Sequence, residues 1–179
     1  MDKYLFNKEV SLNAVLYIAN RVKRKDFHKI FKILYFSDRE HIYQFGKPLT
    51  GDIYIAMNNG PVPSKIYDIF KIVRGDSYCQ NKENFEELFF VENSMYINPL
   101  KDADMDYIPK RSICILDESI SKCDNLSFDE LTEKSHDTAW RSTALDYPIE
   151  YSNIALEAGA NRDDLEYIKD LNKLSNYLQ

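Results

Sequence analysis

The sequence predicts a mainly α-helical domain that carries a small antiparallel β-sheet, an α+β fold. Apolar residues recur at helical spacing over residues 10–45 and again after residue 110. A short alternating run at 52–57 has the two-residue period of a strand. After that strand comes Gly60-Pro61-Val62-Pro63. Glycine has the least restricted backbone dihedral angles of all residues, and proline the most restricted. With 179 residues, we expect a single domain over 1–179.

Two antiparallel helices are predicted first. Asn7 or Ser11 begins a helix that runs to about Val22, and Asp26 is a suitable N-cap for the second helix. Gly46 fits the left-handed position that ends such a helix. Because the join between the two helices is only three residues long, the apolar stripe of the second helix should face the first.

A rigid corner should follow the strand at 52–57. We expect a positive φ at Gly60, and an extended Val62, because a residue before proline avoids the helical region. Ser64 is then the expected cap of a helix that ends at Gly75.

The second half of the chain predicts several short elements, each bounded by a turn or cap residue. In order, they are a β-hairpin of Phe85–Val91 and Ser94–Ile97, a third strand near Met105–Tyr107, and helices over Lys110–Cys123, Ser127–Ser135 with a capping box, Asp146–Leu156, and the residues after Asn161.

The net charge of −6 is unevenly distributed. Residues 1–50 carry ten Lys/Arg and five Asp/Glu, a balance of +5, whereas residues 51–179 carry thirteen and twenty-four, a balance of −11. The basic segment 21–32 can form a patch for phosphate or an acidic partner, or it can be a solvated helix end and loop. The acidic remainder argues against a general nucleic-acid binder, so we do not expect nucleic acid as a partner.

Composition also limits location and chemistry. No apolar run is long enough to span a bilayer and the N-terminus lacks a signal-peptide pattern, so we expect no membrane association and a cytoplasmic protein. The cysteines, which have no CxxC pair, should be free thiols. The histidines lack metal-ligand spacing, so we expect no metal, no cofactor and no enzyme. These residues are Cys79, Cys114 and Cys123, and His28, His41 and His136.

Four polar or aromatic residues have structural explanations that we favour over catalytic or ligand-binding roles. Asp38 ends an apolar stripe, so it should be a buried carboxylate bonded to a turn amide or a tyrosine. Ser135 and His136 are adjacent and so cannot act as a nucleophile and its base; the pair more often ends a helix. Trp140, the one tryptophan, is expected to plug the core or a groove.

Two blocks of the sequence, which together span about 110 residues, carry a recognisable pattern. The first contains Leu34-Tyr35-Phe36-Ser37-Asp38, Gly46, Leu49-Thr50-Gly51-Asp52, Tyr54, Ala56, Gly60-Pro61-Val62-Pro63 and Tyr67-Asp68, and the second contains Leu131-Thr132-Glu133-Lys134-Ser135-His136 with Ala139-Trp140. In these blocks the chain resembles the Panacea domain of SocA-like antitoxins. Ser37 stands where the family often has alanine.

The resemblance implies an antitoxin of a bacterial or phage toxin–antitoxin pair that neutralises its cognate toxin by stoichiometric contact. Some members of the family also present a toxin to a protease. The motif residues that match look mainly architectural: Tyr35, Asp38, Gly51, Asp52, Tyr54, Gly60, Pro61, Val62, Pro63, Tyr67, His136 and Trp140.

Two further hypotheses stay open: a DNA-binding or phage-encoded regulator that uses segment 21–32, and an enzyme of unknown type. For an antitoxin, the partner surface should combine exposed aromatic side chains with charge. The candidates around the corner are Tyr43, Phe45, Tyr54 and Tyr67.

Overall fold

The computed structural model describes residues 4–76 and 84–177, with side chains described to residue 170. These residues form eight α-helices and two two-stranded antiparallel sheets, which confirms the predicted class. Cys114 and Cys123 are free thiols, as expected, whereas Cys79 lies outside the described residues.

The elements have the following bounds. The helices are α1 (Lys8–Ala19), α2 (Phe27–Phe45), α3 (Ser64–Arg74), α4 (Lys110–Cys123), α5 (Phe128–Ser135), α6 (Thr138–Arg141), α7 (Tyr151–Glu157) and α8 (Arg162–Tyr177). Strand β1 (Tyr54–Met57) pairs with β2 (Gly60–Pro63), and β3 (Phe89–Glu92) pairs with β4 (Tyr96–Pro99).

Helix α2 is the central element, because α1, α4, α5, α7 and β2 all pack against it. Its ends follow the prediction. The Asp26 carboxylate accepts a hydrogen bond from the Lys29 amide, and Gly46 ends the helix at φ 69°. Helix α1 likewise begins after Asn7, whose side chain accepts from the Val10 amide.

The Asp38 carboxylate organises the loop that follows α2. It is completely buried and accepts hydrogen bonds from the Leu49 amide at 2.7 Å, the Thr50 amide at 2.9 Å and the Tyr54 hydroxyl at 2.8 Å. The Thr50 hydroxyl donates a fourth. Burial raises the pKa of Asp38, and these hydrogen bonds act in the opposite direction. The predicted role of Asp38 as a buried, hydrogen-bonded carboxylate is confirmed.

A second carboxylate, Asp52, caps helix α3 from outside the helix. It accepts hydrogen bonds from the amides of Lys65 and Ile66, both at 2.9 Å, and from the Ser64 hydroxyl at 3.2 Å. The prediction that Ser64 is the cap is therefore wrong. Pro63 holds the N-cap position and has no side-chain acceptor, so a neighbouring element supplies one.

The Gly60–Pro63 run forms β2, and we call these four residues the proline corner. Gly60 has a φ of 93° and pairs with Met57 across a two-residue turn. On its other edge, β1 is paired by the segment 146–149, where the Asp146 amide donates to Ala56 O at 2.7 Å. This pairing explains why the helix predicted from Asp146 begins only at Tyr151.

Two further predictions in the second half need correction. The hairpin begins at Phe89 rather than Phe85, because Phe85–Glu87 forms a 3-10 turn. The third strand predicted near Met105–Tyr107 is absent; these residues form a turn in which the Tyr107 amide donates to Asp104 O. In contrast, α4 has the predicted bounds and α5 has the predicted capping box.

Replacing Asp38 by alanine should destabilise the fold strongly. Two amides and two hydroxyls would lose a buried acceptor, at a cost of roughly 3 kcal/mol or more in the free energy of unfolding. Glu40→Ala is the control on the same helix, because Glu40 bonds only the exposed Gln44 side chain. Urea denaturation measures both, and equal losses would contradict the role given to Asp38.

Gly60→Ala and Gly75→Ala separate crowding from backbone strain. Both glycines have nearly the same φ, 93° and 91°. A Cβ at Gly60 would overlap Ser135 Oγ and lie 3.0 Å from Lys32 Nζ, whereas a Cβ at Gly75 meets nothing within 4 Å. Thermal denaturation should show a loss for Gly75→Ala of about 1 kcal/mol and a clearly larger one for Gly60→Ala. Equal melting temperatures would show that the corner is not tightly packed.

Candidate functional site

A groove of about 690 Å³ runs between α2, the two hairpin turns, α3 and the start of α5. Most of its walls are aromatic or apolar, which is typical of surfaces that bind other molecules. We call it the aromatic groove, after the side chains Phe27, Phe31, Met57, Val62, Tyr67, Met95, Tyr96 and Phe128 that line it.

The floor of the aromatic groove is a packed cluster of rings. Phe27 and Phe31 lie one turn apart on α2, and their centroids are 4.8 and 5.4 Å from that of the buried Phe70. From α3, Tyr67 packs edge-on against Phe31 at 5.7 Å. Because these rings hold one another in place, the floor is formed before any ligand arrives.

The rim of the groove exposes apolar side chains. Met95 is 51% exposed in the turn between β3 and β4, and Phe128 is 39% exposed at the start of α5. Phe128 stacks on the His28 ring with centroids 3.9 Å apart, which fixes its orientation. Large apolar side chains that remain exposed beside a preformed groove indicate a binding surface.

Two arginines at the groove differ in how their donors are used. Arg74 is fully engaged, since its Nε and Nη2 bond the Asp76 carboxylate and its Nη1 donates to Ser94 O. Arg24 forms an ion pair with Asp26 through Nε, at 2.5 Å. Its Nη2 is buried and has no hydrogen-bond partner among the described residues.

His28 is a neutral groove residue. Its Nε2 lies 3.3 Å from Asn59 O and 3.1 Å from the Thr132 hydroxyl, which ties α2 to the first hairpin turn and to α5. Burial, with a smaller contribution from the nearby Lys32 ammonium, lowers the pKa of His28 to about 4. The imidazole is therefore uncharged at neutral pH.

Lys32 anchors the proline corner to α2 beneath the groove. Its side chain is fully buried, and Nζ donates to Pro61 O at 2.9 Å. Burial lowers the pKa of Lys32 to about 7. Only glycine fits at position 60, because a Cβ there would press on this amine and on Ser135.

Trp140 holds the first hairpin turn from the other side. Its Nε1 donates to Met57 O at 3.0 Å, and its ring stacks on His136 with centroids 3.7 Å apart. His136 ends α5, and Trp140 packs half-buried against the core. The adjacent Asp137 accepts from the Tyr35 hydroxyl at 2.8 Å, which fixes α6 to α2.

The four predicted partner residues do not lie together. Tyr54 is only 1% exposed and donates to Asp38, so its placement on the partner surface is wrong. Tyr67 is half-buried and lines the aromatic groove. Tyr43 and Phe45 line a separate cleft of about 540 Å³ against α8. Tyr43 is twelve residues beyond Phe31 on α2, which separates the two sites by about 18 Å.

The cations of segment 21–32 divide between the core and the surface. Lys29 is buried, and its Nζ donates to the backbone carbonyls of Asp124 and Leu126. Lys32 is buried under the corner, and the Arg21 guanidinium stacks on the Tyr17 ring at 3.5 Å. Two of the six cations of the segment, Lys29 and Lys32, are therefore inside the fold, whereas Arg21 and Lys23 are exposed.

Across residues 4–76 and 84–177, no group of three or more His, Cys, Asp or Glu side chains can hold a metal ion. Within the same ranges, no helix has both the length and the apolarity to cross a bilayer.

Sequence reasoning missed three residues on the groove rim: Met95, Tyr96 and Phe128. The available signal was the placement of large apolar residues at a hairpin turn and a helix start, where polar residues are usual. Periodicity does not report such positions, because they lie at the boundaries of elements.

The resemblance to known antitoxins is confirmed by a family model. The model described as "Antitoxin SocA-like, Panacea domain" matches residues 30–141. That stretch contains the proline corner, α3, both hairpins and α5, and so most of the aromatic groove. Neither a curated protein nor a solved structure matches the chain significantly.

Stability should depend on pH through Lys32. Its pKa is about 7 in the folded protein and near 10.5 in the unfolded chain, so between these values only the unfolded chain holds the proton. The free energy of unfolding should therefore rise with pH above 7, by at most about 1.4 kcal/mol per pH unit from this group.

Lys32→Met isolates this contribution, because methionine fills a similar volume without a charge. In urea denaturation at pH 7, the variant should have a larger free energy of unfolding than the wild type. At pH 8 and 9 this difference should become smaller. Parallel pH profiles for the two proteins would show that Lys32 does not titrate in this range.

Proposed function

The chain belongs to the SocA-like antitoxin family with a Panacea domain, and we propose that it neutralises a cognate toxin by direct, stoichiometric contact at the aromatic groove. The observation that carries the proposal is the exposed apolar rim of Met95 and Phe128 above a rigid ring floor. We propose that this contact takes place in the cytoplasm.

The composition of the groove supports a protein partner. Aromatic residues, methionine and arginine are the types enriched at protein interfaces, and the groove has all of them. Hot-spot residues in such interfaces sit in preformed pockets ringed by less critical contacts. A preformed floor also loses little conformational entropy when a partner docks, so more of the contact energy appears as affinity.

Binding without turnover is consistent with polar side chains whose hydrogen bonds are made within the fold. The fully buried carboxylate of Asp38 accepts hydrogen bonds from four donors of the fold. His41 bonds Lys47 O and the Ser112 hydroxyl, and it lies away from the aromatic groove. We therefore propose that the antitoxin acts by covering its partner rather than by transforming it.

Met95→Ser should weaken toxin neutralisation, because it removes an exposed apolar side chain from the rim while leaving the turn backbone in place. We expect a loss of roughly 1–2 kcal/mol in binding, or about tenfold or more in Kd. The measurements are growth on co-expression with the product of the neighbouring gene, and calorimetry with the purified pair.

Met105→Ser is the matched control. Met105 is also an exposed turn methionine, at 40%, but it does not line the groove. Neutralisation should be unchanged in this variant. The proposal fails if the product of the neighbouring gene is neither toxic nor bound, and the groove is the wrong surface if both variants bind it equally.

A further inference from the structure

We infer that the aromatic groove accepts an apolar segment of a protein that carries a lysine or arginine, and that this basic side chain pairs with Asp146. The inference rests on the proposed function, because it takes the occupant to be part of a protein. It adds the charge of the occupant and the residue that recognises it, which the family match does not specify.

The first argument is that the cations at the groove are already balanced or buried. Arg24 pairs with Asp26, and the Arg74 guanidinium is bonded to the Asp76 carboxylate. Lys32 is fully buried, so its amine is out of reach of an occupant. An acidic occupant would therefore find no free counter-ion among these three side chains.

Asp146 is the exception among the charged residues of the groove. It lines the groove and is exposed. Its carboxylate has no hydrogen bond or ion pair with any of the described residues. The unmatched charge at the groove is therefore negative, and a guanidinium or ammonium from a partner would form a charge-assisted hydrogen bond with it.

The backbone holds Asp146 in a fixed position. Its amide donates to Ala56 O at 2.7 Å, and the Ala56 amide donates to Tyr147 O at 3.0 Å, so the segment lies along the edge of β1. Asp146 has a φ of 64°, a left-handed conformation that aspartate adopts more readily than most residues. Because the backbone is already ordered, pairing with a partner costs less conformational entropy.

The two residues that flank Asp146 complete a binding contact. Leu145 is 47% exposed and Tyr147 is 64% exposed. Exposed apolar and aromatic side chains beside a charge can exclude water from an ion pair once a partner docks. These residues lie beyond residue 141, where the family match ends, so they add to the groove a feature that the match does not cover.

The charge of the rest of the chain also favours a basic partner. Residues 51–179 carry a balance of −11, and a surplus of this sign attracts cationic segments and speeds their association. The occupant we infer is therefore a segment with leucine, isoleucine or phenylalanine next to lysine or arginine.

The test selects random dodecapeptides displayed on phage against the immobilised full-length chain. Peptides enriched on the wild type should combine large apolar residues with lysine or arginine, and Met95→Ser should weaken their binding because Met95 lines the groove. Synthetic copies should bind roughly threefold to fivefold more weakly to Asp146→Asn, and by a similar factor when their basic residue is replaced by glutamine. These two losses should not add in the combined pair, because both remove one contact.

Ion pairing also predicts a salt dependence that a merely structural role of Asp146 would not produce. Added sodium chloride screens the pair, so it should weaken binding of the peptides to the wild type. The same salt should weaken binding to Asp146→Asn by a smaller factor.

Asp106→Asn is the matched control, because Asp106 is also an exposed aspartate in a turn but does not line the groove. It should bind the peptides like the wild type. Circular dichroism melting checks that Asp146→Asn remains folded, which we expect because asparagine also tolerates a left-handed φ. If that variant melts early, each peptide and its glutamine copy measure the same contact on the wild-type chain.

Three outcomes would overturn the inference: selected peptides without basic residues, equal binding to Asp146→Asn and the wild type, or equal binding to Met95→Ser and the wild type. None of these depends on the toxin. A failed neutralisation assay with a successful selection would overturn the proposed function alone, and the opposite pair of results would overturn the basic-segment inference alone.

Discussion

The fold depends on the desolvated carboxylate of Asp38. A buried acidic group is tolerated only when its oxygens are bonded, and here two amides and two hydroxyls converge on it. Because the loop after α2 supplies these donors, it is held in one conformation. The strand residue Tyr54 and the capping residue Asp52 are thereby placed, and through Asp52 so is the start of α3. One unfavourable burial therefore determines the positions of a helix, a loop and a strand.

The proline corner is also held in place from both sides. Lys32 holds it from below through Pro61 O, and Trp140 holds the adjoining turn through Met57 O. Two prolines remove amide donors from β2, which suits a strand whose free edge does not need to extend the sheet. The groove wall above is thus built from backbone that side chains fix on both sides, a suitable basis for recognition without rearrangement.

Local signals in the sequence predicted much of this architecture. Caps at Asp26 and Ser127 and the positive φ of Gly46 and Gly60 depend on neighbouring residues, and the structure confirms them. The predictions were wrong where contacts with a distant part of the chain determine the local structure. The cap of α3 comes from Asp52 rather than from Ser64 beside it, and residues 146–149 pair with β1 instead of starting a helix.

The site was less predictable, for the same reason. Exposed and buried tyrosines look alike in a sequence, and Tyr54 became a core residue because its hydroxyl reaches Asp38. Whether a lysine is exposed or buried is equally hard to predict. Lys29 and Lys32 are both buried, so their charges are absent from the surface. Which residues share a face depends on how helices cross, and periodicity along one helix does not encode that.

The contacts of Asp38 also bear on the order in which the protein can assemble. Its partners lie 11 to 16 residues further along the chain, so closing that loop costs little entropy and needs nothing beyond β1. The bond between Tyr35 and Asp137 spans 102 residues and must wait for α5 and α6 to be made. During synthesis on the ribosome, the loop around Asp38 can therefore fold before the second wall of the groove exists, and the groove is completed last.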